Sequence, residues 1–209
     1  MKLSIFGATG SIGRQVVEQA LEQGHDVTAF TRDRAKLDIH HPHLNVVQGD
    51  VLDALSVEQA VRGRDAVVCV LGSGQKLTGS VRSEGTKQIV RAMERSGIQR
   101  LICQSTLGTG DSWENLNFYW KYVMFGFILR NVFADHERQE EVVKQSQLDW
   151  TIVRAGAFVD GDRTGQYRHG FPDTDKTSQL KISRADVADF ILKQLGDDSY
   201  LHAAPALSY

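Results

Sequence analysis

The stretch FGATGSIGR, residues 6–14, decides the fold. It follows the apolar run Leu3-Ser4-Ile5-Phe6 and places Gly7, Gly10 and Gly13 at even spacing. A strand, a glycine loop and a helix in that order make a seat for dinucleotide phosphates. Residues without Cβ permit a tight turn and close backbone approach. The helix N-terminus then presents unpaired N–H donors and a partial positive charge. The sequence therefore predicts that Gly7, Thr9, Gly10, Ser11, Ile12 and Gly13 hold the pyrophosphate of a dinucleotide.

Outward from this loop, short apolar runs alternate with helical patterns. Strands are expected at residues 2–6, 26–30, 44–47, 66–71, 100–104 and 150–153. Helices are expected at residues 13–23, closed by Gly24, at 83–96, followed by Gly97, and as one long helix at 118–145. A last helix at 183–195 has Ser183 as its cap and Gly196 after it. Pro42, Pro172 and Pro205 fall outside these elements. Alternation of this kind predicts an α/β doubly wound, mostly parallel sheet. We read residues 1–209 as one domain, with a smaller substrate-side lobe from the C-terminal third.

Composition narrows the function. Lys plus Arg number 24 against 26 Asp plus Glu, a net charge of −2, which gives no footprint for nucleic acid or a membrane surface. Cys69 and Cys103 sit in apolar runs and read as buried free thiols, without disulfide or metal-ligand spacing. No metal is expected. The apolar segment from Tyr119 to Phe133 contains Lys121 and Arg130 and is too short to span a bilayer. With no signal peptide at the start, a soluble cytoplasmic protein is expected.

The end of the second strand should meet the adenosine ribose, where a carboxylate selects a 2′-hydroxyl and an arginine a 2′-phosphate. The sequence TRDRAK puts Arg32 there, with Arg34 and Lys36 behind it. A guanidinium can grip phosphate bidentately, so NADP(H) is expected over NAD(H). Asp33, one step on, could cap the following turn or take a ribose. Asp50 and Val51 end the third strand, where Asp50 could accept from the adenine amino group or cap the next helix. Leu71, Gly72, Ser73 and Gly74 end the fourth strand, close to the pyrophosphate and nicotinamide ribose.

GATGSIG, TRD, GDV and LGSG together resemble the atypical short-chain dehydrogenase/reductases. VRSEGTKQIVRAM, RLICQST, ADHERQEEVV, DRTGQY and ISRADVADFIL extend the resemblance, essentially end to end, to the branch of biliverdin-IXβ reductase, also known as NADPH-dependent flavin reductase. That resemblance implies a monomeric Rossmann-type domain using NADPH to reduce flavins (FMN or FAD as substrate) and open tetrapyrroles by hydride transfer. It places a hydroxyl of Ser105 or Thr106 beside the nicotinamide and the imidazole of His136 on the substrate side. Ala155, Gly156 and Ala157 would pack against the nicotinamide. Ala157 stands where the branch has a second histidine, so no role for that group carries over.

The Tyr-x-x-x-Lys pair of ordinary short-chain dehydrogenases is absent. Tyr119, Tyr122, Tyr167 and Tyr200 are followed four places on by Val123, Gly126, Phe171 and Ala204, and Tyr209 is terminal. A planar, already electrophilic acceptor needs no such phenol, because stacking of the rings supplies proximity and orientation. Trp113, Phe118, Trp120 and Phe125 could wall a pocket for such a ring, or pack on the core or on a second subunit. A monomer is expected first and a dimer through this segment second. Two other functions stay open: a non-catalytic NADP(H)-sensing regulator of the NmrA-like type, and a sugar-nucleotide epimerase-like enzyme.

Overall fold

The computed structural model describes residues 1–72 and 79–209. In chain order it has β1 (Lys2–Phe6), α1 (Ser11–Glu22), β2 (Asp26–Thr31), β3 (Leu44–Gln48), α2 (Ala54–Val61), β4 (Ala66–Cys69), α3 (Val81–Ser96) and β5 (Arg100–Thr106). A π-helical segment, Tyr119–Ile128, leads into α4 (Arg130–Lys144) and β6 (Asp149–Ala155). The C-terminal part carries β7 (Ala157–Val159), β8 (Arg168–His169), β9 (Lys181–Ser183), α5 (Arg184–Lys193) and β10 (Ala206–Ser208).

One eight-stranded sheet runs β3-β2-β1-β4-β5-β6-β10-β8, parallel except for β8, while β7 and β9 pair separately. The order reverses between β1 and β4. In a doubly wound sheet that reversal opens a crevice at the carboxyl ends of the strands, where ligands bind. Phe6 lies in register with Phe30 on one side and Cys69 on the other, so β1, β2 and β4 end level and their following loops meet there.

Strand alternation divides the core between two faces. Leu3, Ile5, Ala29, Val68, Ile102 and Val153 face α1 and α5. Phe6, Phe30, Val67, Cys69, Cys103 and Ile152 face α2, α3 and α4. Both faces being covered explains why Ala66–Cys69 is buried throughout. Each aliphatic side chain of this size contributes ~1.5–3 kcal/mol on full burial. Both cysteines are free and buried. No helix of the described residues is long and apolar enough to cross a membrane.

Two expectations need correction. The helix after the third strand starts at Ala54 and is capped not by Asp50 but by Asp53, which accepts from Leu55 N and Ser56 N; Asp50 instead accepts from Leu52 N at 2.9 Å. The single long helix at 118–145 is two elements. Trp120, Phe125 and Leu129 are the inward apolar residues, spaced five and four apart, which suits the wide π turn rather than 3.6-residue spacing. Leu129 N donates to Met124 O, five residues back, and Phe133 N to Leu129 O resumes the α pattern. The short strands β7 to β10 carry no periodicity that a sequence pattern could reveal. Asp186 of α5 ties the C-terminal lobe together, accepting from Thr164 N, Gly165 N and the hydroxyls of Thr164 and Tyr209.

Candidate active site at the carboxyl edge of the sheet

The glycine loop is shaped by contacts that exclude side chains. Gly7 has φ +89°, and a Cβ there would run into the Val70 carbonyl. A Cβ on Gly13 would strike the Gly7 carbonyl, so α1 can start this close to β1 only with glycine at both positions. Gly10 precedes α1 and offers no side-chain cap, leaving the first N–H groups of the helix for a ligand.

Two cavities share Gly10, Leu71 and Gly72 and so form one groove across the switch point. The first, about 300 Å³, is bordered by Gly7, Thr9, Arg32, Lys36, Asp50 and Val51. Arg32 and Lys36 are exposed at its rim. Arg34 turns away and donates to the Val46 carbonyl. Asp33 accepts from Ala35 N at 3.1 Å as the cap of a short turn and does not border the cavity. This half has the dimensions and the cationic rim for an adenosine carrying a phosphate. The predicted Ser73 and Gly74 lie outside the described residues.

The second cavity, about 410 Å³, opens beyond Gly10, Ser11 and Ile12. Its walls are apolar: Trp120, Phe125 and Leu129 on one side, Gly156, Ala157 and Leu180 on another. Ligand sites are commonly cavities of ~300–1,000 Å³ with apolar walls and a few placed polar groups. Here those polar groups are Arg82, Gln104, Thr106 and His136. None of the tyrosines borders it.

Of the residues expected near the nicotinamide, Thr106, His136, Gly156 and Ala157 border the cavity, whereas Ser105 and Ala155 do not. Ser105 is fully buried and donates to Glu140 Oε1 at 2.8 Å. The reason is parity: Gln104 and Thr106 share one side of β5, and Ser105 points to the other, toward α4. Gln104 was missed on the same ground, although it stands in the CQST stretch. Arg82 was missed because nothing in VRSEG sets it apart from a surface cation. Of the four aromatic candidates only Trp120 and Phe125 form wall. Trp113 packs behind on Phe133, with ring centres 5.5 Å apart, and Phe118 is exposed.

Charge beneath and beside the cavity is organised in two buried groups. Glu140 takes two hydrogen bonds from Arg154, accepts from Ser105 and Thr109, and pairs with Lys144. Burial pushes the Glu140 carboxyl up, but Arg154, Lys144 and Thr109 outweigh it and hold the pKa at about 2. Asp135 on α4 accepts from Arg82 N and Ser83 N, which caps α3 from a neighbouring helix. His136 is neutral: burial first, and the Arg82 cation second, lower its pKa to about 3.

A strand–glycine-loop–helix seat at the switch point of a doubly wound sheet defines a dinucleotide-binding protein of the Rossmann type. The chain belongs to the NAD(P)H-binding family, whose pattern matches residues 7–198. It is similar to the photosystem II assembly factor Ycf39 of Synechocystis sp., at 25% identity over 95% of this chain; the match spans 60% of that protein's length. Among solved structures, ChuY of Escherichia coli O157:H7, an anaerobilin reductase, superposes with TM-score 0.82 and 26% identity, covering 100% of this chain and 97% of that one. The oxidoreductase ylbE of Lactococcus lactis has the same fold, with TM-score 0.84, 22% identity, and coverage of 100% and 90%. The atypical short-chain dehydrogenase/reductase resemblance thus holds, and the site is that of an NAD(P)H-binding oxidoreductase-like fold.

Proposed function

We propose that the protein is an NADPH-dependent reductase that passes hydride to a planar conjugated acceptor, a flavin or an open tetrapyrrole. The observation that carries this reading is the cavity of about 410 Å³, which continues the cofactor groove and is walled by Trp120 and Phe125. When bound, the reduced nicotinamide would supply the hydride. The chain's own task is to orient and to dry the site. The uncapped start of α1 would take the pyrophosphate, and Arg32 with Lys36 a 2′-phosphate. Gly156 and Ala157 leave a flat floor without branched side chains, and the apolar walls exclude water. Alignment of two stacked rings is worth at best ~7–11 kcal/mol of barrier. Similarity to a bilin reductase supports the tetrapyrrole as one acceptor.

A single observation favours a second reading, a dinucleotide-responsive binding protein. Phe118, Tyr122, Phe127 and Ile128 form an exposed apolar face on the back of the cavity wall, with Phe127 84% accessible. That face could seat another protein or a second copy of the chain. Mixing the protein with NADPH and either FMN or biliverdin separates the readings. A reductase consumes the nicotinamide absorbance at a rate proportional to protein; a sensor binds NADPH and leaves it intact.

A further inference from the structure

Two side chains on the wall of the larger cavity are more than nine-tenths buried and have an unsatisfied polar atom among the described residues. Arg82 is 5% accessible and its Nη1 has no hydrogen-bond partner; His136 is 6% accessible and its Nδ1 makes no hydrogen bond of good geometry, although the Gln139 amide lies near the ring. Of the ten buried side-chain atoms without a partner among the described residues, these two alone belong to residues that border this cavity, so a ligand atom is what would pair them.

The surroundings fix which kind. Arg82 is held in place by Nε donating to the Leu71 carbonyl at 3.1 Å. Asp135 lies 3.6 Å from Nη1, beyond hydrogen-bond reach. Its oxygens are occupied elsewhere: Oδ1 accepts from Ser83 N and Ser83 Oγ, and Oδ2 from Arg82 N. Arg138 also lies 3.6 Å from Asp135, so two guanidinium groups face one carboxylate and the local balance is positive. The imidazole beside them is uncharged and in its Nδ1–H tautomer adds a second donor. The rest of this wall is apolar, with Leu71, Leu129 and Val132. Such a spot neither needs nor tolerates another cation; it suits an anionic oxygen, for which a guanidinium is the strongest donor.

We propose that Arg82 and His136 form an oxyanion subsite, which binds a carboxylate or phosphate oxygen of a ligand in the cavity. This rests on the cavity being the ligand site of the proposed reductase, and it narrows the ligand: a purely apolar ring would leave both donors bare. Two sources have this chemistry, an acid side chain on the acceptor and the dinucleotide pyrophosphate, since Gly10 and Ser11 border the same cavity.

Equilibrium binding, which needs no turnover, distinguishes them. Calorimetric titrations of wild type and Arg82→Met would use NADPH alone, then biliverdin and biliverdin dimethyl ester on the NADP⁺-saturated protein. If the acceptor supplies the anion, Arg82→Met weakens biliverdin about tenfold or more and leaves the ester and NADPH unchanged. If the pyrophosphate supplies it, NADPH weakens by that factor and both bilins are unchanged. Arg82→Lys keeps the charge and should recover part of the loss, which also guards against a folding defect in the methionine variant. His136→Leu should weaken the same ligand as Arg82→Met, and His136→Asn less. The subsite is overturned if all three ligands bind the methionine variant as they bind wild type, or if all weaken equally. A wild type that binds bilins tightly yet never reduces them would sink the reductase and leave the subsite standing.

Discussion

Arg154 grips Glu140 with both ends of its guanidinium, Nε to Oε1 at 3.0 Å and Nη2 to Oε2 at 2.8 Å, in a layer where each residue is almost wholly buried. This pair ties β6 to α4 directly behind the cavity. Removing one partner leaves the other charge buried with only a more exposed ion beside it, Lys144 for Glu140 or Asp111 for Arg154. Glu140→Leu and Arg154→Met are each expected to lose up to ~3–5 kcal/mol of stability in urea denaturation. The double variant should lose less than the sum of the two. Additive losses would show that the two side chains act independently.

The same pair sets an acid limit. The folded pKa of Glu140, about 2, lies below its ordinary 4.5. Its contribution is therefore complete above pH 4.5 and disappears as pH falls toward 2. A depressed carboxylate of this size accounts for on the order of 3 kcal/mol.

His136 acts earlier on the same titration. The unfolded chain accepts a proton near 6.5, whereas the folded imidazole refuses it until about 3. Stability should fall as pH drops through that window, and only the histidine part of the loss begins above pH 5. His136→Leu is expected to flatten the stability profile of the ligand-free protein between pH 6.5 and 5. An unchanged slope there would contradict a buried, neutral imidazole.

Arg32 stands at the rim of the smaller cavity with Lys36. Arg32→Ala should raise the Kd for NADPH about tenfold or more and change that for NADH by about twofold or less, because only NADPH carries the 2′-phosphate. Equal losses in two fluorescence titrations would remove the preference for NADPH.

Gly7→Ala tests the loop without touching any charge. The Cβ meets the Val70 carbonyl at a positive φ, so the variant should lose ~1–3 kcal/mol and bind either cofactor poorly. Gly24→Ala, at φ +78° but with open space around it, should lose stability and keep cofactor affinity.

Much of this was legible in the sequence, for identifiable reasons. Gly7 and Gly13 announce a backbone crossing that nothing larger permits, and the apolar run at Ala66–Cys69 announces a strand covered on both faces. Strand ends were also placed well enough to put Arg32 and Val51 at one cavity. What failed depended on which way a side chain turns. Ser105 and Thr106 are neighbours with equal chemistry, yet strand parity sends one to Glu140 and the other to the cavity. The π turn at Tyr119–Ile128 escaped notice because a spacing of five and four among large apolar residues looks like an irregular α-helix. Arg82 is silent in the sequence, since its meaning lies in Asp135, more than fifty residues away, using up its oxygens on α3.

The most direct test of the central claim follows one labelled hydrogen. Wild-type protein and Ala157→Trp, which would fill the floor of the larger cavity, are mixed with stereospecifically deuterated NADPH and either FMN or biliverdin, without oxygen, in a single turnover. Hydride transfer across this cavity predicts that wild type moves deuterium to at least one acceptor, faster than buffer and with a primary isotope effect, and that Ala157→Trp, which crowds both rings, transfers far more slowly. It is contradicted if wild type binds NADPH and both acceptors and the label stays on the nicotinamide.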